Sequence, residues 1–207
     1  MQVIVSDSHD INENLAFEQR LLGGSGEFAL LYINDPCVVV GRNQTIEAEV
    51  DTDFCLNHCI PVVKRLSGGG TVWHDRGNVN YSFVLDRDGK SPLDCDFTRP
   101  VVDALAALGL KAVRDNRNAL FVDGLKVSGT AAMFTRDRVL FHGTLLFGSD
   151  LGMLESACRG RKDVPAKVRS VPDRVGNIGD MLAESMTFEE FVDYLAGFLS
   201  GYDRNTI

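Results

Sequence analysis

Two short stretches carry residue types able to hold an anion. The first reads Lys64-Arg65-Leu66-Ser67-Gly68-Gly69-Gly70, followed by Thr71-Val72-Trp73-His74-Asp75. Three adjacent glycines in a β-rich segment are costly, because glycine loses the most backbone freedom on folding. They suit a backbone that must approach another group closely, or whose free N–H groups point at an anion. A guanidinium just ahead of them makes a carboxylate or a phosphate the natural guest. The second stretch reads Asp123-Gly124-Leu125-Lys126-Val127-Ser128-Gly129-Thr130-Ala131. Lys126 stands among apolar strand residues, where lysine is rare unless its ammonium reaches a partner. Ser128, Gly129, Ala131 and Ala132 leave room beside it. A glycine-rich hairpin corner and a solvent-facing lysine are the plainer readings. The length of the first run and the small residues around Lys126 favour a ligand site. His142, on the next strand, ranks below Lys126 as a site residue. The glycine run is neither a Walker loop, since no Gly-Lys-Ser/Thr follows, nor a dinucleotide fingerprint, whose spaced glycines open a helix.

The elements that position these stretches can be read from periodicity and turn signals. Residues 2–6 read as a strand and 10–22 as a helix with Ile11, Leu15, Phe17, Leu21 and Leu22 on its apolar face. Residues 28–33 and 37–40 read as a hairpin about Asn34-Asp35-Pro36, and 52–59 as a short helix. A third helix spans 97–108, with strands at 111–113 and 119–122. Asp123-Gly124 is a tight-hairpin signal. Residues 125–134 and 139–147 pair as strands about 135–138, and 151–157 is helical. Residues 159–174 read as a mobile basic loop. Thr187 and Glu190 form a capping box for a last helix through Phe188, Phe191, Val192, Leu195 and Leu199. The expectation is one α+β domain over 1–207, a mostly antiparallel or mixed sheet flanked by helices.

Composition narrows the function. A net charge of −8 argues against nucleic acid as a partner. The sequence opens without a signal-peptide core, and no apolar run reaches membrane-spanning length, so a soluble cytoplasmic protein is expected. Cys37, Cys55, Cys59, Cys95 and Cys158 are odd in number and scattered; Cys55 and Cys59 lack a second pair to complete a zinc site. Reduced thiols are the better reading.

Together these elements resemble lipoate–protein ligases. The resemblance is carried by Ser6-Asp7-Ser8-His9-Asp10 with Asn14-Leu15-Ala16, the Lys64–Asp75 run continuing to Gly77-Asn78, Lys126-Val127-Ser128-Gly129-Thr130-Ala131, and His142-Gly143-Thr144. It covers residues 1 to about 180. It implies the catalytic fold shared with biotin–protein ligases. The implied reaction joins ATP and lipoate to give lipoyl-AMP, with Mg²⁺, then passes the acyl group to a lysine of an acceptor. The implied acceptor is the lipoyl domain of a 2-oxoacid dehydrogenase E2 subunit, a glycine-cleavage H protein or a similar carrier. By resemblance Arg65, Gly70 to Trp73 and Lys126 hold the nucleotide, and Lys126 also touches lipoate. Ser67, Gly68, Gly69, His74, Ser128 and His142 complete the expected ATP- and lipoate-binding set. Val72, Trp73, Tyr81 and Phe83 are candidates for the wall of the acyl slot, and the metal ligands stay unassigned. The family's C-terminal accessory domain is expected to be absent, which admits a separate small subunit. Its G-R-N-D element reads Asn116-Arg117-Asn118-Ala119, and Val171-Pro172-Asp173 reads as an insertion in the loop over the adenylate.

Two other functions fit the same residues. An ATP-independent octanoyl or lipoyl transferase needs an activated cysteine near the lysine, and Cys158, at the start of the basic loop, is the candidate. A non-catalytic protein that binds lipoate or adenylate is the third. In all three, Arg159, Arg161, Lys162, Lys167, Arg169 and Arg174 offer a locally positive face to an acidic lipoyl domain.

Overall fold

The computed structural model describes residues 1–87, 89 and 95–207. In chain order the elements are β1 (Gln2–Val5), α1 (Ile11–Gly23), β2 (Phe28–Tyr32), β3 (Cys37–Val40), α2 (Ile46–Glu49), α3 (Thr52–Asn57), β4 (Val62–Lys64), β5 (Val72–His74) and β6 (Asn78–Asp86). Then follow α4 (Arg99–Ala107), β7 (Val113–Arg114), β8 (Leu120–Val122), β9 (Leu125–Ser128), β10 (Thr130–Phe134), β11 (Arg138–Leu146), α5 (Leu151–Ala157) and α6 (Phe188–Ser200).

A five-stranded sheet in the order β1-β2-β6-β11-β10 carries the main core. Its strands pair antiparallel except β1 with β2. Period-2 alternation divides its long central strands. Val79, Tyr81, Phe83 and Leu85 join Val139, Phe141 and Leu145 beneath α4 and α6, whose Val101, Leu105, Phe191 and Leu195 complete the cluster. Asn80, Ser82, His142 and Thr144 alternate with them and are also buried. The opposite face is therefore covered too, and it is polar at its middle, with Val84 and Leu140 packing on Leu22 at one end. α1 lies over it with Asn14 and Glu18 in its inward stripe beside Ile11, Leu15 and Leu22. Asp10 caps α1, accepting from the amides of Asn12 and Glu13, and the expected capping box opens α6.

The hairpin expected from β2 into β3 does not form. β2 already has β1 on one edge and β6 on the other, so β3 has no free edge to pair with. It founds a second sheet, β4-β3-β5, parallel to β4 and antiparallel to β5. All four of its side chains are buried: Cys37 and Val39 against Ile11 and Leu15, Val38 and Val40 against Cys55, Ile60 and Ala157. The expected single strand over 125–134 breaks at Gly129. β9 stays in a third sheet, β7-β8-β9, while β10 joins the edge of the first. Between β8 and β9, Asp123 and Gly124 take φ of 50° and 78°, the left-handed pair of a type I′ turn.

Segment 159–174, expected to be mobile, is tied down. Arg161 N–H donates to Glu47 O, Arg169 to the carbonyls of Ala48 and Val164, and Ser170 N–H to the Glu49 carboxylate.

Candidate functional site

β4 ends at Lys64, and Arg65 turns back beneath its own loop. Nη2 donates to Gly68 O at 2.6 Å and Gly70 O at 2.7 Å, Nη1 to Val39 O at 3.1 Å, and Nε to Ser67 Oγ at 2.9 Å. Gly69, at φ +83°, lets the two flanking carbonyls converge on one cation. A planar trans peptide sends each following N–H the other way. Thus the Gly69 and Thr71 amides face away from Arg65, and Thr71 N–H reaches Ser170 Oγ at 2.9 Å. No protein acceptor among the described residues takes the Gly68, Gly69 or Gly70 amides. The sequence reading gave Arg65 the guest anion directly. Instead its donors are largely spent on carbonyls, and what it supplies is a loop with its amides turned outward. Burial brings its pKa down to about 10, opposed by nearby Tyr32 and Glu18, so it stays a cation.

Behind the loop lies a buried polar chain. Ser67 Oγ is 2.7 Å from His142 Nε2, and His142 Nδ1 lies 3.0 and 3.1 Å from the two oxygens of Glu18. Arg65 Nε donates to Ser67 Oγ, and the His142 ring bridges that serine to the Glu18 carboxylate. Tyr32 and Ser82 hydroxyls also donate to Glu18. Burial raises the Glu18 pKa, but His142 and these hydroxyls outweigh it and leave the carboxyl below its usual range. His74 is held by Asn34 Nδ2, which donates to its Nδ1 at 2.8 Å. Burial, with the Arg65 charge nearby, drives the His74 pKa down to about 3, so the ring is neutral.

Asp75 serves structure. Its oxygens accept from Trp73 Nε1 at 2.8 Å, Gly77 N at 2.9 Å, Ser149 Oγ at 2.9 Å and Asp150 N at 2.8 Å. Those bonds fix the indole and clamp the turn after β5 to the end of β11. Asp75→Ala is expected to cost about 3 kcal/mol, since it strands several buried donors at once. Urea denaturation checks this, and a loss below about 1 kcal/mol would remove the clamp from the account.

In front of the loop opens a cleft of about 910 Å³, lined by Thr71, Val72, Trp73, Lys126, Ser128 and Gly129 and roofed by 169–175. Lys126 reaches it from β9. Its Nζ donates to Asp173 Oδ2 at 3.0 Å, and 23% of its side chain is exposed, so it lies in the cleft and not in open solvent. A narrow slot of about 30 Å³ adjoins, lined by Leu15, Val39, Val72 and Ala131 with Arg65, His74 and His142 at its polar side. Tyr81 and Phe83, expected in the acyl wall, lie on the other face of the sheet in the main core; neither lines the cleft or the slot. Val72 lines both spaces, and Trp73 the cleft. The basic loop was expected to lower the Cys158 pKa. Burial, with Cys55 and Glu49 nearby, pushes it up to about 12 instead. No three His, Cys, Asp or Glu side chains cluster into a metal site among the described residues.

The profile of the lipoyl protein ligase A/B catalytic domain matches residues 10–200. The chain belongs to that family. It is 40% identical to lipoate-protein ligase LplJ of Bacillus subtilis over 91% of this chain and 60% of that one. Lipoate–protein ligase 1 of Staphylococcus aureus is also 40% identical, over 86% of this chain and 56% of its own. The chain thus spans about three fifths of the length of those ligases. Among solved structures, a bipartite lipoate protein ligase from Thermoplasma acidophilum, described with its E2 lipoyl domain, superposes with a TM-score of 0.81 at 25% identity. That match covers 96% of this chain and 82% of that chain. A lipoate-protein ligase A bound with ATP superposes at 0.80 over 96% and 83%, at 24% identity, a likeness of fold.

Within this ligase fold, sequence reasoning passed over Glu18, Gln44, Glu49 and Ser170, and noted Asp173 only as part of an insertion. Glu18 left a signal: residues 11, 14, 15, 18 and 22 form one helical stripe, and a carboxylate within it implies a buried partner. Gln44 left none. Its side chain joins Gly41 N, Thr71 Oγ1 and Ser170 Oγ across three separate loops.

Proposed function

We propose that the chain is the catalytic domain of a lipoate–protein ligase. It would activate lipoate with ATP to lipoyl-AMP and pass the acyl group to a lysine of a lipoyl domain. One observation carries the reading: the Lys126 ammonium and residues Thr71 to Trp73, which follow the glycine loop, line a single cleft, with a part-apolar slot opening beside it, although Gly68, Gly69 and Gly70 line neither space. A carboxylate attacking an α-phosphate brings two anions together, and preorganised donors lower that barrier most. On this reading Lys126 bonds both the attacking carboxylate and the phosphoryl oxygen. In the second step the same ammonium steadies the oxygen of the acyl carbon as a neutral amine attacks and AMP departs. Arg65 acts through the loop that it shapes. The slot, at about 30 Å³, holds little more than one water, so the acyl tail enters by parting its walls.

Mg²⁺ would supply further charge neutralisation when bound. Glu49, Glu155 and Asp173 are the carboxylates lining the cleft. Asp173 is held by Lys126 and Arg117 and Glu49 by the Ser170 amide, so Glu155 is the acid left to meet an ion held largely by the nucleotide's phosphates. For the acceptor, the bipartite Thermoplasma ligase supports a lipoyl domain and admits a separate accessory subunit. Arg169 is turned inward onto carbonyls, so the remaining basic residues of 159–174 are the ones left to meet an acidic partner.

Incubation with lipoate and an apo lipoyl domain, with and without ATP, tests the reading by acceptor mass. A lipoyl adduct that requires ATP is expected. No adduct under any condition, an accessory subunit included, would retire it. An adduct formed from an acyl-carrier thioester and lost in Cys158→Ser would favour the transferase, which the raised thiol pKa of Cys158 disfavours.

A further inference from the structure

Segment 168–176 presents one group to each half of the proposed anion site. Ser170 Oγ caps the Thr71 amide at 2.9 Å. It lies 3.0 Å from where a Cβ on Gly70 would stand, directly over the loop. Three residues on, Asp173 Oδ2 accepts from Lys126 Nζ at 3.0 Å and lies 3.2 Å from Arg117 Nη2. The backbone fixes this placement. Lys126 N–H donates to Arg174 O at 2.8 Å, Gly176 N–H donates to Lys126 O at 3.1 Å, and Lys126 and Val175 form a short parallel bridge. Gln44 Nε2 and the Glu49 carboxylate hold Ser170 from the far side. A carboxylate of the protein's own therefore stands against the ammonium that the proposed reaction needs for its substrates.

Arg117 gives that carboxylate somewhere to go. Its Nε donates to Asp115 Oδ2 at 2.9 Å, and Asp115 Oδ1 accepts from the amides of Arg117 and Ala119, so the guanidinium is anchored. Asp173 can give up Lys126 while keeping Arg117, and its charge is never stranded.

We propose that Asp173 is an internal competitor for the anion site, occupying Lys126 until the nucleotide displaces it toward Arg117. The proposal rests on reading Lys126 as the partner of the substrate anions. Its consequence is selective: a polyanion such as ATP displaces the carboxylate, whereas an uncharged acyl compound does not. Apparent nucleotide affinity is then lowered by the fraction of molecules in which Lys126 is taken.

Asp173→Asn keeps the shape and removes the charge, and Asp173→Ala serves as a second variant. Without any ligand, reductive methylation of Lys126, followed by peptide mass mapping, should run about fivefold faster in both, on the scale of a partly shielded ion pair. Equal rates would overturn the proposal. By calorimetry with Mg-ATP, both variants should bind about fivefold more tightly than the parent. Weaker binding would also overturn it, marking Asp173 as a ligand of the nucleotide's Mg²⁺. If ATP bound none of the three proteins while Lys126 labelled faster in both variants, the ligase reading would fall and the hold of Asp173 on Lys126 would stand.

Discussion

Lys126→Met should lower lipoate-dependent exchange of pyrophosphate into ATP by about a thousandfold, the scale of removing one preorganised donor from a developing anion. That is about 4 kcal/mol of transition-state stabilisation. Methionine keeps most of the unbranched stem, so little packing is lost. The parent ion pair with Asp173 is partly exposed and contributes at most about 1 kcal/mol to folding. Melting temperature should therefore hardly move while activation collapses. The loss should fall mainly on kcat, because the ammonium's bond strengthens as charge gathers on the phosphoryl oxygen. Lys126→Arg should not rescue it, since a planar fork does not replace a point charge between two acids. Exchange retained above about a tenth of the parent rate would show that the amides carry the charge without it.

Acidification should destabilise the protein before most of its carboxylates are neutralised. The His74 pKa falls from 6.5 to about 3 in the fold. Between those values the unfolded chain binds one more proton than the native chain, so stability rises with pH across the window. It is fully present above about pH 6.5 and is lost progressively below it, at about 1.4 kcal/mol per pH unit. By pH 4 that amounts to about 3 kcal/mol from one side chain. Glu18 adds a steeper limb at lower pH, because its carboxyl lies below the usual 4.5 and its contribution falls away as it protonates. His74→Gln can still accept from Asn34 but has no proton to take up. Its urea midpoint, followed from pH 7 to pH 4.5, should stay flatter than the parent's, and parallel curves would assign the acid sensitivity elsewhere.

Much of this arrangement was legible in the amino acids. The longer helices announced themselves through apolar stripes and the Thr187–Glu190 box, and the type I′ turn through Asp123-Gly124, whereas α2 (Ile46–Glu49) went unread. All of these are local signals, fixed by a few neighbouring residues. The glycine run and Lys126 stood out as candidates for chemistry, because residue types are seldom placed against their preferences without reason. Sheet membership was not, since it depends on which edges are free. Nothing within residues 28–40 says that β2 is already flanked on both sides, and nothing near Gly129 says that its strand changes sheet. The guanidinium of Arg65 was expected to face the guest, but three carbonyls and the Ser67 hydroxyl surround it, because a buried cation left unpartnered is costly. Tyr81 and Phe83 were assigned to the wrong wall because alternation tells which residues share a face and not which face meets the ligand.

Gly129 leaves the two halves of the cleft on different foundations. The ammonium rides on the small sheet of β7, β8 and β9, whereas the amide-bearing loop hangs between β4 and β5 of another. Their separation is thus set by the seating of one block of structure upon its neighbour, and any tilt of the β8–β9 ribbon about that single residue is magnified at the tip of a four-carbon arm. A change many residues from the chemistry, one that never touches a substrate, can then retune the reach between cation and cradle while the fold itself melts as before.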